Sequence, residues 1–211
     1  MHAGAGTASR VGVSCMSSAS SSLTRHVDAA TGLLVGARQV LSPHFDARPA
    51  GSLAELIVVH GISLPPGEFG GPWIDRLFSG NLAAAAHPFF AQIVGARVSA
   101  HALVRRSGSI VQYVPFDRRA WHAGESNYGG RSACNDFSIG IELEGTDDQP
   151  YADEQYAQLA ALIRALLCAY STLSAERIVG HSDIAPGRKT DPGPHFDWPR
   201  LRRLMATDPR A

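Results

Sequence analysis

The run Leu56-Ile57-Val58-Val59-His60 is four consecutive apolar residues closed by a histidine. A strand with one wet face alternates apolar and polar residues, whereas a strand covered on both faces does not. The run therefore predicts a strand buried on both sides, with an imidazole at its end. A second apolar run, Arg177-Ile178-Val179, leads into Gly180-His181 and reads the same way. If the two strands are neighbours, both histidines arrive at one edge of a sheet.

The rest of the chain supplies the layers around such a sheet. Residues 98–104 and 109–114 are β-rich runs joined by Arg105-Arg106-Ser107-Gly108, which predicts a hairpin. Residues 137–144 alternate Ile139, Ile141 and Leu143 with Gly140, Glu142 and Glu144, the pattern of a half-buried strand with Glu142 on its polar face. Helical spacing appears at Trp73, Ile74, Leu77 and Phe78, around residues 83–94, at 153–170 with Asp153 as the N-cap, and at 198–205. Strands interleaved with helices predict an α/β single domain, a mixed β-sheet covered by helices. His101, inside a predicted strand, reads as a hydrogen-bonded core histidine.

At 211 residues the chain has length for one domain with a sizeable core. Lys plus Arg and Asp plus Glu number 19 each, so no overall field favours nucleic acid or an anionic membrane. The three cysteines, Cys15, Cys134 and Cys168, are far apart and odd in number, which points away from a disulfide framework and towards a reducing compartment. No apolar run reaches the ~20 residues of a membrane helix. The Ser-, Ala- and Gly-rich start, residues 1–27, reads as a low-complexity, disordered extension without the apolar core of an export signal. Ordered sequence is expected from near Gly32, with a catalytic domain over 28–211.

The chemistry concentrates after the second histidine. Residues 180–194, Gly-His-Ser-Asp-Ile-Ala-Pro-Gly-Arg-Lys-Thr-Asp-Pro-Gly-Pro, place His, Asp, Arg, Lys and Asp in a loop stiffened by proline and glycine. Pro192 biases Asp191 towards an extended backbone. Imidazole and carboxylate both ligate zinc, and a catalytic zinc takes three protein ligands with one position open. His60, His181 and either Asp183 or Asp191 make such a set. The same loop, taken alone, also fits a polar surface turn. A metal so bound brings the pKa of water from ~15.7 to about 7, which suits hydrolysis. Glu142 is then the candidate general base, and Lys189 the candidate partner of an oxyanion, since an ammonium beside a dication is favourable only with an anion between them.

Longer stretches carry a resemblance. Ser42-Pro43-His44-Phe45-Asp46, Val58-Val59-His60, residues 62–74, Val111-Gln112-Tyr113-Val114-Pro115-Phe116-Asp117, residues 134–146 and Arg188-Lys189-Thr190-Asp191-Pro192-Gly193-Pro194 closely resemble the cytoplasmic AmpD-type amidases, from about Gly32 to the last helix. The resemblance implies an amidase and peptidoglycan-recognition-like fold. It implies a zinc-dependent enzyme that splits the amide between the lactyl group of (1,6-anhydro)-N-acetylmuramic acid and L-alanine in muropeptides during peptidoglycan recycling in the cytoplasm. It assigns His60, His181 and Asp191 to Zn²⁺, Glu142 and Lys189 to catalysis, and Arg97 and Trp121 to the substrate. Two departures stand out: many relatives have Asn after the first ligand and Cys after the second, where this chain has Gly61 and Ser182. The rival readings are a module that binds muropeptide without cleaving it, which is expected to lack a ligand, and a lytic amidase acting on intact wall, which is expected to carry an export signal or binding repeat.

Overall fold

A computed structural model describes residues 25–207. Six strands, numbered in chain order, form one mixed sheet: β1 (Arg38–Gln39), β2 (Leu56–Ile62), β3 (Ala102–Val104), β4 (Ile110–Gln112), β5 (Ser138–Glu144) and β6 (Ile178–Gly180). Across the sheet they run β6, β2, β5, β3, β4, β1. The strands β6, β2, β5 and β3 are mutually parallel, β3 and β4 form the expected antiparallel hairpin, and β1 closes the edge parallel to β4. The two histidine-bearing strands are indeed neighbours, with Val58 paired to Val179.

Parallel central strands need cover on both faces, and the sequence provides it. Ile57 and Val59 of β2 and Ile139, Ile141 and Leu143 of β5 join one apolar cluster with helix α2 (Asp153–Ala169), through Tyr156, Leu159, Ile163 and Leu166. Helix α4 (Trp198–Ala206) adds Leu201 to the same cluster. On the other face, Leu56 and Val58 pack with Cys134, Phe137 and Ile184. The intervening short helix α1 (Trp73–Phe78) sets Ile74, Leu77 and Phe78 against Leu103, Val111 and Tyr113.

Several expectations change. Every residue of β5 is buried, so it is not half-exposed; the face bearing Gly140 and Glu142 is polar yet covered, with the ring of His122 lying on Gly140. Residues 83–94 form two 3₁₀ turns, Ala84–Ala86 and Pro88–Gln92, because Pro88 has no N–H for a continuing helix. The α2 cap is Ala152, whose N–H is taken by the Gln155 side chain, and Asp153 lies one residue inside. The chain is already folded before Gly32: Val27–Asp28 pairs with Leu33–Leu34, and Val27 is buried in the α2 cluster. Residues 1–24 of the expected extension lie outside the described residues. The long loop over 121–135 contains a small ladder, Asn127–Tyr128 with Arg131–Ser132.

After β6 the chain makes one turn of helix, α3 (His181–Ile184), and the loop carrying Asp191 is then pressed onto the end of the sheet. Tyr151, buried, lies against Gly61 and Gly145, and a Cβ at either glycine would overlap its ring or hydroxyl. That hydroxyl donates to the Pro192 carbonyl at 2.9 Å, tying down the residue after Asp191. Gly193 has φ +81°, and a Cβ there would overlap the backbone of Asp147. A left-handed L-residue costs ~1–2 kcal/mol and overpacking a further ~1–3. Gly193→Ala should therefore lower unfolding stability by about 2–4 kcal/mol in urea melts at matched metal content; an unchanged midpoint would mean that Asp147 yields freely.

Candidate metal centre and active site

Three donor atoms from distant parts of the chain converge. His60 Nδ1 lies 3.0 Å from His181 Nδ1 and 3.3 Å from Asp191 Oδ2, and the latter two are 3.1 Å apart. Both histidines are buried, while Asp191 keeps 15% of its side chain exposed, so the cluster opens on the carboxylate side. Ligands ~2.0–2.2 Å from a tetrahedral ion stand roughly 3.3–3.6 Å from one another, so this triangle is a few tenths of an ångström tighter than a filled site. Asp183, the alternative carboxylate, is committed elsewhere: its Oδ2 accepts from the Gly180 N–H at 2.7 Å.

The far nitrogens of the rings say what the near ones offer. His181 Nε2 faces the Ala123 carbonyl at 3.1 Å, which can only accept, so Nε2 carries the hydrogen and a neutral ring presents a lone pair at Nδ1. That carbonyl is itself fixed, because the N–H groups of His122 and Ala123 both donate to Asn135 Oδ1, and Arg188 also donates to it. A lone pair thus points at the carboxylate and at the other imidazole. Protonation would relieve the clash only by charging a buried ring, and burial, aided by the neighbouring positive charges, brings the His60 pKa down to about 4. Two neutral nitrogens and an anionic oxygen aimed at one point fit a divalent metal with a position left open.

Glu142 pairs directly with His60 in the parallel ladder between β5 and β2, so both side chains leave the same face of the sheet. It is only 8% exposed, and its Oε2 is buried with no hydrogen-bond partner. Burial, and then the Asp191 charge, raise its pKa well above the usual value, with Lys189 pulling the other way. An unsatisfied carboxyl oxygen beside a metal position is an acceptor waiting for a proton. Lys189 is exposed, two residues before Asp191, near enough for its charge to act on both Glu142 and His60.

Arg97 and Trp121 meet in a cation–π contact at 5.0 Å, and Trp121 Nε1 donates to Asp46 at 3.3 Å. Asp46 is in turn held by two bonds from Arg119, at 2.6 Å each. Sequence reasoning left several supporting residues unmarked. Arg48 donates to the carbonyls of Asn135, Asp136, Phe116 and Ser138, fastening the start of β5. Glu144, buried, accepts from Gly70, Arg105 and Arg106 and holds the glycine-rich loop over residues 65–72. His122 Nδ1 lies 2.9 Å from His60 Nε2. A polar residue on an otherwise apolar strand was the available signal for Glu144; for Arg48 and His122 the local sequence gave none.

Residues 50–194 match the family model for N-acetylmuramoyl-L-alanine amidase. The chain is 65% identical over 175 residues to the 1,6-anhydro-N-acetylmuramyl-L-alanine amidase AmpD of Salmonella typhimurium (strain SL1344), covering 83% of this chain and 93% of that protein. Among solved structures, a crystal structure of a selenomethionine AmpD derivative superposes with TM-score 0.82 at 61% identity, covering 85% of this chain and 98% of that one. The Escherichia coli amidase AmiD, in complex with anhydro-N-acetylmuramic acid-L-Ala-D-γ-Glu-L-Lys, superposes with TM-score 0.54 at 30% identity, over 74% of this chain and 60% of that one. Fold, donor cluster and sequence agree, and the chain belongs to the N-acetylmuramoyl-L-alanine amidase family.

Proposed function

We propose that this protein hydrolyses the amide between the lactyl group of 1,6-anhydro-N-acetylmuramic acid and L-alanine in soluble muropeptides, as a recycling enzyme of the cytoplasm, with Zn²⁺ held by His60, His181 and Asp191. The observation that carries the reading is the convergence of those three donors beside an unpaired, buried Glu142. The similarity to AmpD proteins and the anhydromuropeptide held by AmiD support the substrate. No described helix is long and apolar enough to cross a membrane.

When bound, zinc supplies Lewis acidity at neutral pH. The protein groups do the rest. Glu142 accepts the proton of the attacking water at its free Oε2 and passes it to the leaving amide nitrogen, so that L-alanine departs as an amine. The Lys189 ammonium meets the negative charge that develops on the carbonyl oxygen. Arg97, held over the ring of Trp121, which Asp46 braces in turn, supplies a cation for the sugar and its peptide.

Chelation should abolish release of L-alanyl peptide from anhydromuramoyl tripeptide, and Zn²⁺ should restore it, with polymeric wall a poor substrate in the same assay. Full activity after exhaustive metal removal would exclude this mechanism. His60→Ala and Asp191→Ala should lose zinc and turnover together by metal analysis. Lys189→Ala should keep zinc and lose about 100-fold or more in kcat.

Glu142→Gln should likewise keep zinc while kcat falls by roughly 10²–10⁴-fold and the acid limb of the pH–rate profile flattens. The same variant should stabilise the metal-free protein at pH 7. Above the ordinary value of 4.5 the unfolded carboxyl has ionised while the folded one, with its raised pKa, still holds its proton, so wild-type stability declines as pH rises through that window. Melting of the two metal-free proteins should converge as pH falls towards 4.5; a wild-type advantage at pH 7 would show that Glu142 is comfortable as an anion.

A further inference from the structure

The hydrogen bond from His60 to His122 continues into the protein. His122 Nε2 lies 3.1 Å from Ser138 Oγ, and Ser138 Oγ lies 2.6 Å from the Cys134 carbonyl. The direction of every link follows from its last member. A carbonyl only accepts, so the single serine hydroxyl hydrogen is spent on Cys134, and towards His122 the same oxygen has only lone pairs. His122 Nε2 must then carry a hydrogen, and in the neutral ring Nδ1 is left as an acceptor. What it faces is His60 Nε2, at 2.9 Å. His60 therefore carries its own hydrogen at Nε2 and turns the Nδ1 lone pair towards His181 and Asp191. Reversing any one link would set two lone pairs or two hydrogens face to face.

The fold has made room for this ring. Gly140 lies on the same face of β5 as Ser138 and Glu142, and a Cβ there would overlap Cγ, Nδ1 and Cδ2 of His122. Gly140 has no positive φ that would call for glycine, so close approach of the imidazole is the reason left for the missing side chain. His122 is further located by its own backbone N–H, which donates to Asn135 Oδ1 at 3.0 Å.

We propose that His122 is a positioning residue of the metal centre: a relay from the Cys134 carbonyl through Ser138 and His122 fixes the tautomer and orientation of His60, which makes its Nδ1 a better ligand for zinc. The proposal rests on the zinc reading above, and its test separates the two. Long-range ¹H–¹⁵N spectra of the histidine rings in the intact protein should show His122 protonated at Nε2 and His60 at Nε2, with and without zinc. Finding His122 protonated at Nδ1 overturns the relay, whatever the variants do. Zinc affinity, from competition with a chelator of known strength, should weaken by about 10–100-fold in His122→Phe, the range typical of ligand-supporting hydrogen bonds. It should recover in part in His122→Gln, whose carbonyl can accept from His60, and weaken by several-fold in Ser138→Ala and Gly140→Ala. Unchanged affinity in a folded His122→Phe also overturns it. If His122→Phe does not fold, the wild-type spectra decide; if the wild type binds no zinc, the zinc reading fails and the spectra still judge the relay.

Discussion

The site depends on the parallel register that sets His60 of β2 beside Glu142 of β5. Side chains alternate faces along a strand, so this one pairing sends an imidazole and a carboxyl to the same side and places Val59 and Ile141 under α2 on the other. A slip of one residue in either strand would turn its imidazole or its carboxyl into the apolar cluster and bring a valine or an isoleucine to the metal position. The burial that stabilises the domain and the geometry that performs chemistry are thus one constraint.

From that register the remaining parts follow by proximity. β6 lies parallel to β2 and ends one residue before His181, so the second imidazole comes to the same edge as the first. The third donor comes from a loop with no sheet pairing, and it is held by packing instead: Tyr151 grips the Pro192 carbonyl and Gly193 lies flat on Asp147. Backbone carbonyls settle how the rings present themselves. Ala123 receives the far nitrogen of His181, and Asn135 holds Ala123 in place, so the loop over 121–135 acts as a template for the ligands as well as a wall of the cleft.

Much of this was legible in the chain. The unbroken Leu56-Ile57-Val58-Val59 run announced a strand covered on both faces, and histidines at the ends of two such runs announced a shared edge. The hairpin and α2 were readable because each rests on local periodicity, whereas the dense motif after His181 left Asp183 and Asp191 both open until the resemblance chose between them. What escaped depends on partners remote in sequence. β5 read as half-buried because glycine and glutamate alternate with its apolar residues, and only the tertiary structure shows that the glycine seats His122 and that the glutamates face a closed site and a pair of arginines. Val27 escaped because two residues of strand make no pattern, though its side chain is fully committed to the α2 core. A proline inside an apolar stretch split the expected helix at 83–94.

The resemblance to AmpD-type amidases leads one to expect asparagine after His60, where this chain has Gly61. In this fold the volume such a side chain would take is filled from the opposite direction by the phenol of Tyr151, which then reaches the backbone next to the third ligand. Positions 61 and 151 are coupled through this contact: a side chain introduced at the first displaces the hydroxyl of the second, and with it the tether on residue 192. Bulk added beside His60 would thus be felt far along the chain, in the backbone that follows Asp191, because one phenol touches both.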